Sequence, residues 1–561
     1  MIKSANSIEK GARLKADICI VGGGAAGISM ALALSGKGLQ VLLLESGKWE
    51  EDAASQALYQ GTVADDRMHS PTDKYRQRRF GGSTTIWGGR CMPFDPIDFE
   101  ERPWVPNSGW PITHEDLAPF YLRANQYLEA GKFEYDADQA LLPGTGPLVQ
   151  GFASKRLRTN GLERFSCPTN MAARYGNRLK AAADVRVLLE ANCTGIRLAE
   201  DAGSVRFLEV ATLAGNTFAV EAEEYVLATG GIEVARLLLA SNDRCPSGVG
   251  NSFDVVGRYY MCHIAGNVGT LSIDGPVANV RHGYEVSPDG IYCRRRLQLT
   301  EQAQRELQVG NMVTRLHFPK ITDPAHRSGV LSGLFLARFF ISYEYGKRLK
   351  DGDRDSLGTY LRHIWNVVSD PIDTILFLSH WVTKRTLAAR KFPSVILRNK
   401  TNRFSLEVHA EQVPRADSRV TLLDSKDALG MPRVKVDWRY SPEDIETVRK
   451  TLRAISEEFS NSGVGTFEFD ERTLESDLLR FGAYGGHHVG TARMGLDPKT
   501  SVVDANCFVH GVANLSVASS AVFPTSSQAN PTLAIVAISL RLANHILNKR
   551  HPDAIAREAA A

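Results

Sequence analysis

The chain has 561 residues, with 66 Lys and Arg against 63 Asp and Glu. Hydrophobic residues make up 43% and charged residues 23%, a globular balance that excludes a mainly disordered protein. The near-neutral charge argues against a general nucleic-acid binder, so no nucleic-acid partner is expected. At this length we expect more than one domain.

The eight cysteines never occur in C-x-x-C spacing, which argues against a zinc site, a thioredoxin-type site or a c-type haem. No metal site is expected, and scattered cysteines fit a reducing compartment. The N-terminal segment is charged and lacks the apolar stretch of a signal peptide. No run of 18 uninterrupted apolar residues occurs, so no transmembrane helix is expected. These features predict a cytoplasmic protein.

The first fifty residues predict a β-α-β unit. Ala16–Val21 is apolar and β-branched, as in a buried parallel strand. A glycine-rich turn follows, then an Ala- and Leu-rich helix over Ile28–Gly38 and a second buried strand over Gln40–Glu45.

The turn contains Gly22-x-Gly24-x-x-Gly27, which lets a pyrophosphate approach the backbone at a helix N-terminus. Glu45 ends the second strand, where a carboxylate can bind a ribose hydroxyl. The pattern predicts dinucleotide binding without choosing between FAD and NAD.

The remaining elements are predicted from periodicity and turn residues. In chain order they are a glycine-rich loop over Phe80–Gly89, a helix over Leu117–Ala130, strands over Val185–Leu189 and Glu224–Leu227, a turn over Ala228–Gly231, a helix over Ile232–Ala240, amphipathic helices over Leu334–Tyr345 and Leu361–Leu387, strands over Phe404–Glu411 and Arg419–Leu422, and a final helix over Pro531–Asn548.

The amphipathic helices lie in a segment with interspersed basic residues, among them Lys347, Arg348, Lys350, Lys384, Arg385, Arg390 and Lys391. The simplest interpretation is a packed helical hairpin or an oligomer contact. A peripheral membrane surface is the alternative.

Two polar motifs lie near the C-terminus. Gly485–Gly495 contains His487 and His488, and neighbouring residues on a strand point to opposite faces. At most one of them therefore faces a given pocket, and periodicity does not decide which. The second motif, Val522–Thr532, contains Asn530 just before the last helix.

Taken in order, these motifs resemble the glucose–methanol–choline (GMC) family of FAD-dependent alcohol-oxidising enzymes, from Asp17 to Leu547. The chain is especially similar to the family's bacterial sugar and gluconate dehydrogenases and its pyranose oxidases. In this family a catalytic histidine precedes a Gly-Thr pair by three residues, which selects His487 over His488. A second catalytic residue, His or Asn, follows about 43 residues later, at Asn530.

The resemblance implies bound FAD. Its predicted contacts are Gly22, Gly24, Gly27, Glu45, Gly81, Gly82, Ser83, Trp87, Gly88, Gly89, Cys193, Thr229, Gly230, Ser519, Pro531 and Thr532. Ile86 stands where some relatives attach the flavin through a histidine, so non-covalent FAD is expected. Ser519 replaces an acid that the family tends to have.

The expected fold is α/β: a Rossmann-like FAD-binding domain with an α+β substrate domain built on an antiparallel sheet. The first is assigned to residues 12–110, 175–260 and 471–561, the second to 111–174 and 261–470 with a helical insertion at 328–392.

The resemblance implies oxidation of an alcohol, on a sugar or glycoside, by hydride transfer to flavin N5 with His487 as the base. The partners are then a small-molecule alcohol and an unidentified electron acceptor. Three alternatives remain open: a lipid-linked or other amphiphilic alcohol, a lyase on the same scaffold, and a catalytically silent binding protein. The histidine argues against the last two.

Overall fold

The computed structural model describes residues 1–319, 321–341, 356–394, 396–397, 399, 401–480, 482–483 and 485–550. Its strands are β1 (Ile2–Ser4), β2 (Arg13–Val21), β3 (Val41–Leu44), β4 (Thr62–Val63), β5 (Arg90–Cys91), β6 (Leu157–Arg158), β7 (Leu162–Phe165), β8 (Val185–Leu189), β9 (Asn192–Leu198), β10 (Val205–Ala211), β11 (Thr217–Leu227), β12 (Ile264–Ile273), β13 (Tyr284–Val286), β14 (Tyr292–Arg295), β15 (Leu297–Leu299), β16 (Met312–His317), β17 (Arg403–Ala410), β18 (Arg419–Lys426), β19 (Pro432–Asp437), β20 (Gly465–Glu468) and β21 (Leu515–Val517).

The α-helices of the same residues span Ala25–Leu34, Ala53–Ala57, His114–Tyr127, Ala137–Ala140, Met171–Ala181, Gly231–Ala240, Glu301–Leu307, Gly329–Ala337, Leu357–Ser369, Pro371–Trp381, Pro442–Ser462, Leu474–Leu479 and Thr532–Arg550. Within the described ranges, no helix combines the length and apolarity needed to cross a bilayer.

The largest sheet has the strand order β1-β8-β3-β2-β11-β10-β9, and β21 also pairs with β11. Strands β1, β8, β3, β2, β11 and β21 pair in parallel, whereas β10 and β9 extend the sheet antiparallel. At the centre, Ile18, Cys19 and Ile20 of β2 are fully buried, as expected for a parallel strand covered on both faces.

The second sheet is antiparallel, with the order β20-β12-β17-β16-β15-β6. Glu407 of β17 pairs with Arg315 of β16, and His409 pairs with Val313. Because strand residues alternate between faces, Glu407 and His409 share one face. The predicted α/β fold, with a Rossmann-like FAD-binding sheet and an antiparallel substrate sheet, is confirmed. The domain boundaries stay a prediction.

The amphipathic segment departs from the expected helices. The helix predicted over Leu361–Leu387 is divided into Leu357–Ser369 and Pro371–Trp381. Pro371 explains the break, because proline lacks the N–H that would continue the first helix and restricts the residue before it. The helix predicted over Leu334–Tyr345 ends at Ala337, and residues 342–345 lie outside the described residues.

Candidate active site

A cavity of about 470 Å³ opens where Val21 and Leu44 end β2 and β3 and where Ala228 follows β11. This edge of an open α/β sheet is where ligands bind. The cavity extends to Arg90 of β5, Phe165 of β7 and Tyr284 of β13. The predicted site residues that line the cavity are Gly22, Gly24, Glu45, Gly82, Ser83, Trp87, Gly88, Cys193, Thr229, Gly230, His487, Ser519, Asn530, Pro531 and Thr532.

Three predicted glycines lie outside the cavity lining and shape the backbone around it. A Cβ on Gly27 would lie 1.9 Å from the carbonyl oxygen of Gly22, so only glycine allows this helix-to-turn contact. Gly81 and Gly89 adopt φ of +94° and +76°, which turn the loop that carries Gly82 and Gly88.

The first glycine turn fits a dinucleotide pyrophosphate. Gly22 has φ of +113°, and a Cβ there would lie 2.7 Å from the Ala228 carbonyl oxygen. A Cβ on Gly24, by contrast, would meet nothing within 4 Å, so this position is open. Helix Ala25–Leu34 begins directly after it and directs its N-terminal amides to the opening.

Polar groups around the turn also fit FAD. The Glu45 carboxylate accepts the amide N–H groups of Gly23 and Gly47, both at 2.7 Å, and keeps lone pairs for a ribose hydroxyl. Ser519 donates its hydroxyl to the Thr229 carbonyl at 2.7 Å. The buried Thr229 hydroxyl oxygen has no hydrogen-bond partner within the described residues, as expected of a group that contacts a ligand.

The loop that follows Gly82 supplies a half-buried wall. Trp87 donates its indole N–H to the Thr169 carbonyl at 3.0 Å, which fixes the ring beside the cavity. Ile86 also lines the cavity and has no nucleophilic atom. Across from them, burial raises the pKa of the Cys193 thiol to about 12, so this cysteine stays protonated.

Asn530, His487 and His263 form a hydrogen-bonded row at the far end of the cavity. The Nδ2 atom of Asn530 lies 3.1 Å from Nε2 of His487, and Nδ1 of His487 lies 2.9 Å from Nδ1 of His263. Since an amide nitrogen only donates, Nε2 of His487 must accept. The proton of the neutral ring is then on Nδ1, which donates to His263.

The environment keeps His487 neutral. Desolvation lowers its pKa well below the ordinary value, and repulsion from a protonated His263 and from the Arg90 guanidinium lowers that pKa further. Burial lowers the pKa of His263 to about 4. His409 stacks on His263 with ring centroids 4.2 Å apart and donates from Nδ1 to the Gln528 carbonyl at 2.5 Å. The acceptor for the Nδ1 proton of His487 is therefore the neutral imidazole of His263.

His488 belongs to a different network. Its Nδ1 lies 2.6 Å from the Tyr260 hydroxyl, which also contacts Nε2 of His69 at 2.7 Å. Both His69 and Tyr260 are buried. The two histidines thus face different partners, although both line the cavity.

Each histidine group brings three candidate ligand atoms within 4.8 Å of one another: His263, His409 and His487 in one, and His69, Cys262 and His488 in the other. The hydrogen bonds of His487 and His488 already use ring nitrogens of both groups. That the protein has no metal site stays a prediction.

Arg90 lines the cavity on the substrate side. Its side chain is 18% exposed, and its nearest carboxylate oxygen, Oε2 of Glu163, is 3.5 Å from Nε and accepts no hydrogen bond. Glu163 also pairs with Arg315, and Arg294 pairs with Glu407. Three arginines thus share two carboxylates, which leaves excess positive charge at the cavity wall.

Sequence patterns missed His263, His409 and Arg90. His263 and His409 come together through the pairing of β12 with β17, and Arg90 is placed by the pairing of β5 with Phe165 of β7. The pattern around each residue is that of an ordinary strand or strand end. The sequence around these three residues therefore gave no indication that they lie at the active site.

Comparison with known proteins decides the family. The family model described as "FAD dependent oxidoreductase" matches residues 17–322 of the chain. The family model described as "GMC oxidoreductase" matches residues 414–539. The chain belongs to the GMC oxidoreductase family. It is therefore an FAD-dependent enzyme that acts on CH–OH donors.

Two curated GMC relatives differ in how much they share with the chain. The 6'''-hydroxyparomomycin C oxidase of Streptomyces lividus is 25% identical, over 96% of this chain and 92% of the relative. The C-glycoside 3-oxidase of Microbacterium trichothecenolyticum is 34% identical, over 25% of this chain and 26% of the relative. The closer similarity to sugar and gluconate dehydrogenases and pyranose oxidases stays a prediction.

A solved FAD-dependent oxidoreductase from Chaetomium thermophilum has a TM-score of 0.55 at 16% identity, over 96% of this chain and 100% of that one. At this identity the likeness shows a shared fold alone.

Proposed function

We propose that the enzyme oxidises a hydroxyl of a sugar or glycoside, with His487 as the base and Asn530 as the oxygen-binding residue. The observation that carries this proposal is the row of Asn530, His487 and His263. In this row the amide of Asn530 donates to Nε2 of a neutral His487, and a substrate hydroxyl can take the place of that amide at the Nε2 lone pair.

The row can act on an alcohol in one step. Nε2 of His487 accepts the hydroxyl proton, because its lowered pKa keeps the ring neutral. Nδ2 of Asn530 donates to the same oxygen and stabilises the charge that develops there. When bound, FAD supplies the acceptor for the hydride that leaves the carbinol carbon.

His263 has a positioning role in this proposal. By accepting the Nδ1 proton of His487, it holds the tautomer whose Nε2 can accept. His263 is fully buried and stacked on His409, so the acceptor is fixed.

The residues that would hold FAD are those of the glycine turn and the Trp87 loop, with Glu45 at the ribose end. We propose non-covalent attachment, because Ile86 offers no atom for a bond.

A polar substrate is supported by Arg90, whose guanidinium lines the cavity 3.5 Å from the Glu163 carboxylate and has further N–H donors for substrate oxygens. The names of the relatives include a C-glycoside oxidase and a hydroxyparomomycin oxidase, which agrees with a glycoside. The excess charge near Arg90 further favours a substrate with a carboxylate or several hydroxyls.

An amphiphilic alcohol is the second candidate. Pro393 and Ser394 line the cavity and directly follow the apolar helical segment. A long-chain alcohol could therefore reach the site along that segment.

The test is an anaerobic panel of matched alcohols, read as loss of oxidised-flavin absorbance. The panel contains methyl glucoside, glucuronate, its neutral methyl ester and aliphatic alcohols. We expect the sugar compounds to bleach the flavin, and we expect the wild type to be bleached faster than an Arg90→Gln variant. Bleaching by aliphatic alcohols alone would favour the second candidate, and no bleaching by any member of the panel would contradict both proposed substrate classes.

A further inference from the structure

Two helices expose their apolar sides to solvent. More than half of the large exposed hydrophobic side chains of the described residues lie between Phe339 and Leu387. The apolar face is defined here by Phe339, Phe340, Leu357, Leu361, Ile364, Trp365, Val368, Ile372, Ile375, Leu376, Leu378, Val382 and Leu387. A surface of this size is rare on a soluble monomer and indicates a binding function.

Buried hydrogen bonds turn helix Leu357–Ser369 in this direction. His363 and Asn366 face the protein, where Nδ1 of His363 lies 3.0 Å from the Ser332 hydroxyl. Asn366 donates to the same hydroxyl at 3.1 Å and to the Pro324 carbonyl at 2.9 Å. The polar side is therefore inside, and the apolar side, including Trp365 at 69% exposure, points outward.

Helix Pro371–Trp381 continues the same surface. None of its residues is buried. Ile372, Ile375, Leu376 and Leu378 are all more than half exposed. Helices of interfacial proteins present such an apolar face beside basic residues.

The charge around the face is positive. The described residues between 328 and 394 contain six Arg and Lys and two Asp, and three of the six cations, Arg362, Lys384 and Lys391, are exposed. Asp370 and Asp373 are half-buried, and Asp370 accepts the amide of Gly329. Cations beside an apolar surface complement anionic lipid headgroups.

We propose that the apolar face docks the enzyme on the surface of an anionic lipid bilayer. The helices lie in the interface plane, with Trp365 and its apolar neighbours among the acyl chains and Arg362 and Lys384 at the headgroups. This proposal does not depend on the identity of the alcohol.

The experiment is co-sedimentation of the FAD-loaded protein with vesicles. Vesicles that contain phosphatidylglycerol should bind the protein more strongly than phosphatidylcholine vesicles, and high salt should weaken the binding. The double variant Trp365→Glu/Ile375→Glu should lower the bound fraction at least ~10-fold. Leu142→Glu/Leu496→Glu is the matched control, because it adds the same two charges at residues that are 63% and 79% exposed outside the face.

Flavin content and melting temperature establish that each variant is folded. Equal vesicle binding by the wild type and the double variant would overturn the proposal. So would a wild type that ignores both vesicles and elutes as a dimer that the double variant breaks, since the face would then be covered by a second copy.

Discussion

The Nδ1 atoms of His487 and His263 lie 2.9 Å apart, although the two residues are 224 positions apart in the chain. One nitrogen must donate and the other accept, and because the Asn530 amide donates to Nε2 of His487, the proton of His487 lies on Nδ1 and points to His263. Because His263 is fully buried, the position of that proton is set by the fold rather than by solvent.

The first prediction separates the adjacent histidines. His487→Ala should retain FAD but slow anaerobic flavin reduction by on the order of 10²–10⁴-fold, because it removes the general base. His488→Ala removes only a partner of Tyr260 and should cost much less. Asn530→Ala should fall between them. Rapid mixing measures all three, and a slow His488→Ala beside a near-normal His487→Ala would reverse the assignment.

The second prediction concerns the tautomer. His263→Leu should slow flavin reduction by on the order of 10²-fold, because Nδ1 of His487 loses its acceptor. His263→Asn keeps an acceptor oxygen and should recover much of the rate. If both variants were equally slow, His263 would act only through packing, and melting temperatures would show the loss.

The third prediction is a pH dependence. A protonated His487 cannot accept a proton, and its lowered pKa moves protonation to lower pH. The reduction rate should therefore stay level from about pH 8 to about pH 6, where an ordinary histidine already loses activity. Arg90→Gln removes a positive charge that lowers this pKa, so its acid limb should move to higher pH. If the acid limb of the pH profile were the same in Arg90→Gln and in the wild type, the charge of Arg90 would not influence the pKa of His487.

The fourth prediction contrasts two glycines of the same turn. Gly24→Arg should fold with a near-normal melting temperature of the apoprotein but lose FAD, because the position is open toward the cavity. Gly27→Ala should lose stability itself, because its Cβ would lie 1.9 Å from the Gly22 carbonyl. A Gly24→Arg protein with full flavin content would place the nucleotide elsewhere.

The fifth prediction tests the attachment of FAD. Acid or heat precipitation of the yellow protein should leave the flavin in the supernatant, because Ile86 has no atom to bond it. Chromatography of the supernatant identifies the nucleotide. Flavin retained in the washed pellet would show a covalent bond, and NAD in the supernatant would contradict the cofactor.

The sequence predicted best where a function needs a short local pattern. Gly22, Gly24 and Gly27 are close in the chain, and each serves the turn by its lack of a side chain. His487 and Asn530 required the family resemblance, because local periodicity left His487 and His488 equivalent. All five line or support the cavity, while their roles stay predictions.

Long-range register explains what was missed. The contact of His263 with His409 depends on the pairing of β12 with β17, which no local pattern specifies. Arg90 depends likewise on its pairing with Phe165. The break before Pro371 was different, because the proline itself was a local signal that the predicted Leu361–Leu387 helix passed over.

The strand β21 joins the nucleotide sheet beside β11, and helix Thr532–Arg550 packs on helix Ala25–Leu34. The ribosome therefore releases the Gly22 turn first and the residues that complete its site last. During synthesis the growing chain therefore has an incomplete nucleotide site, and we expect FAD to bind only after the last helix has been made. We expect a chain that stops before Asn530 to lack bound FAD and therefore its yellow colour.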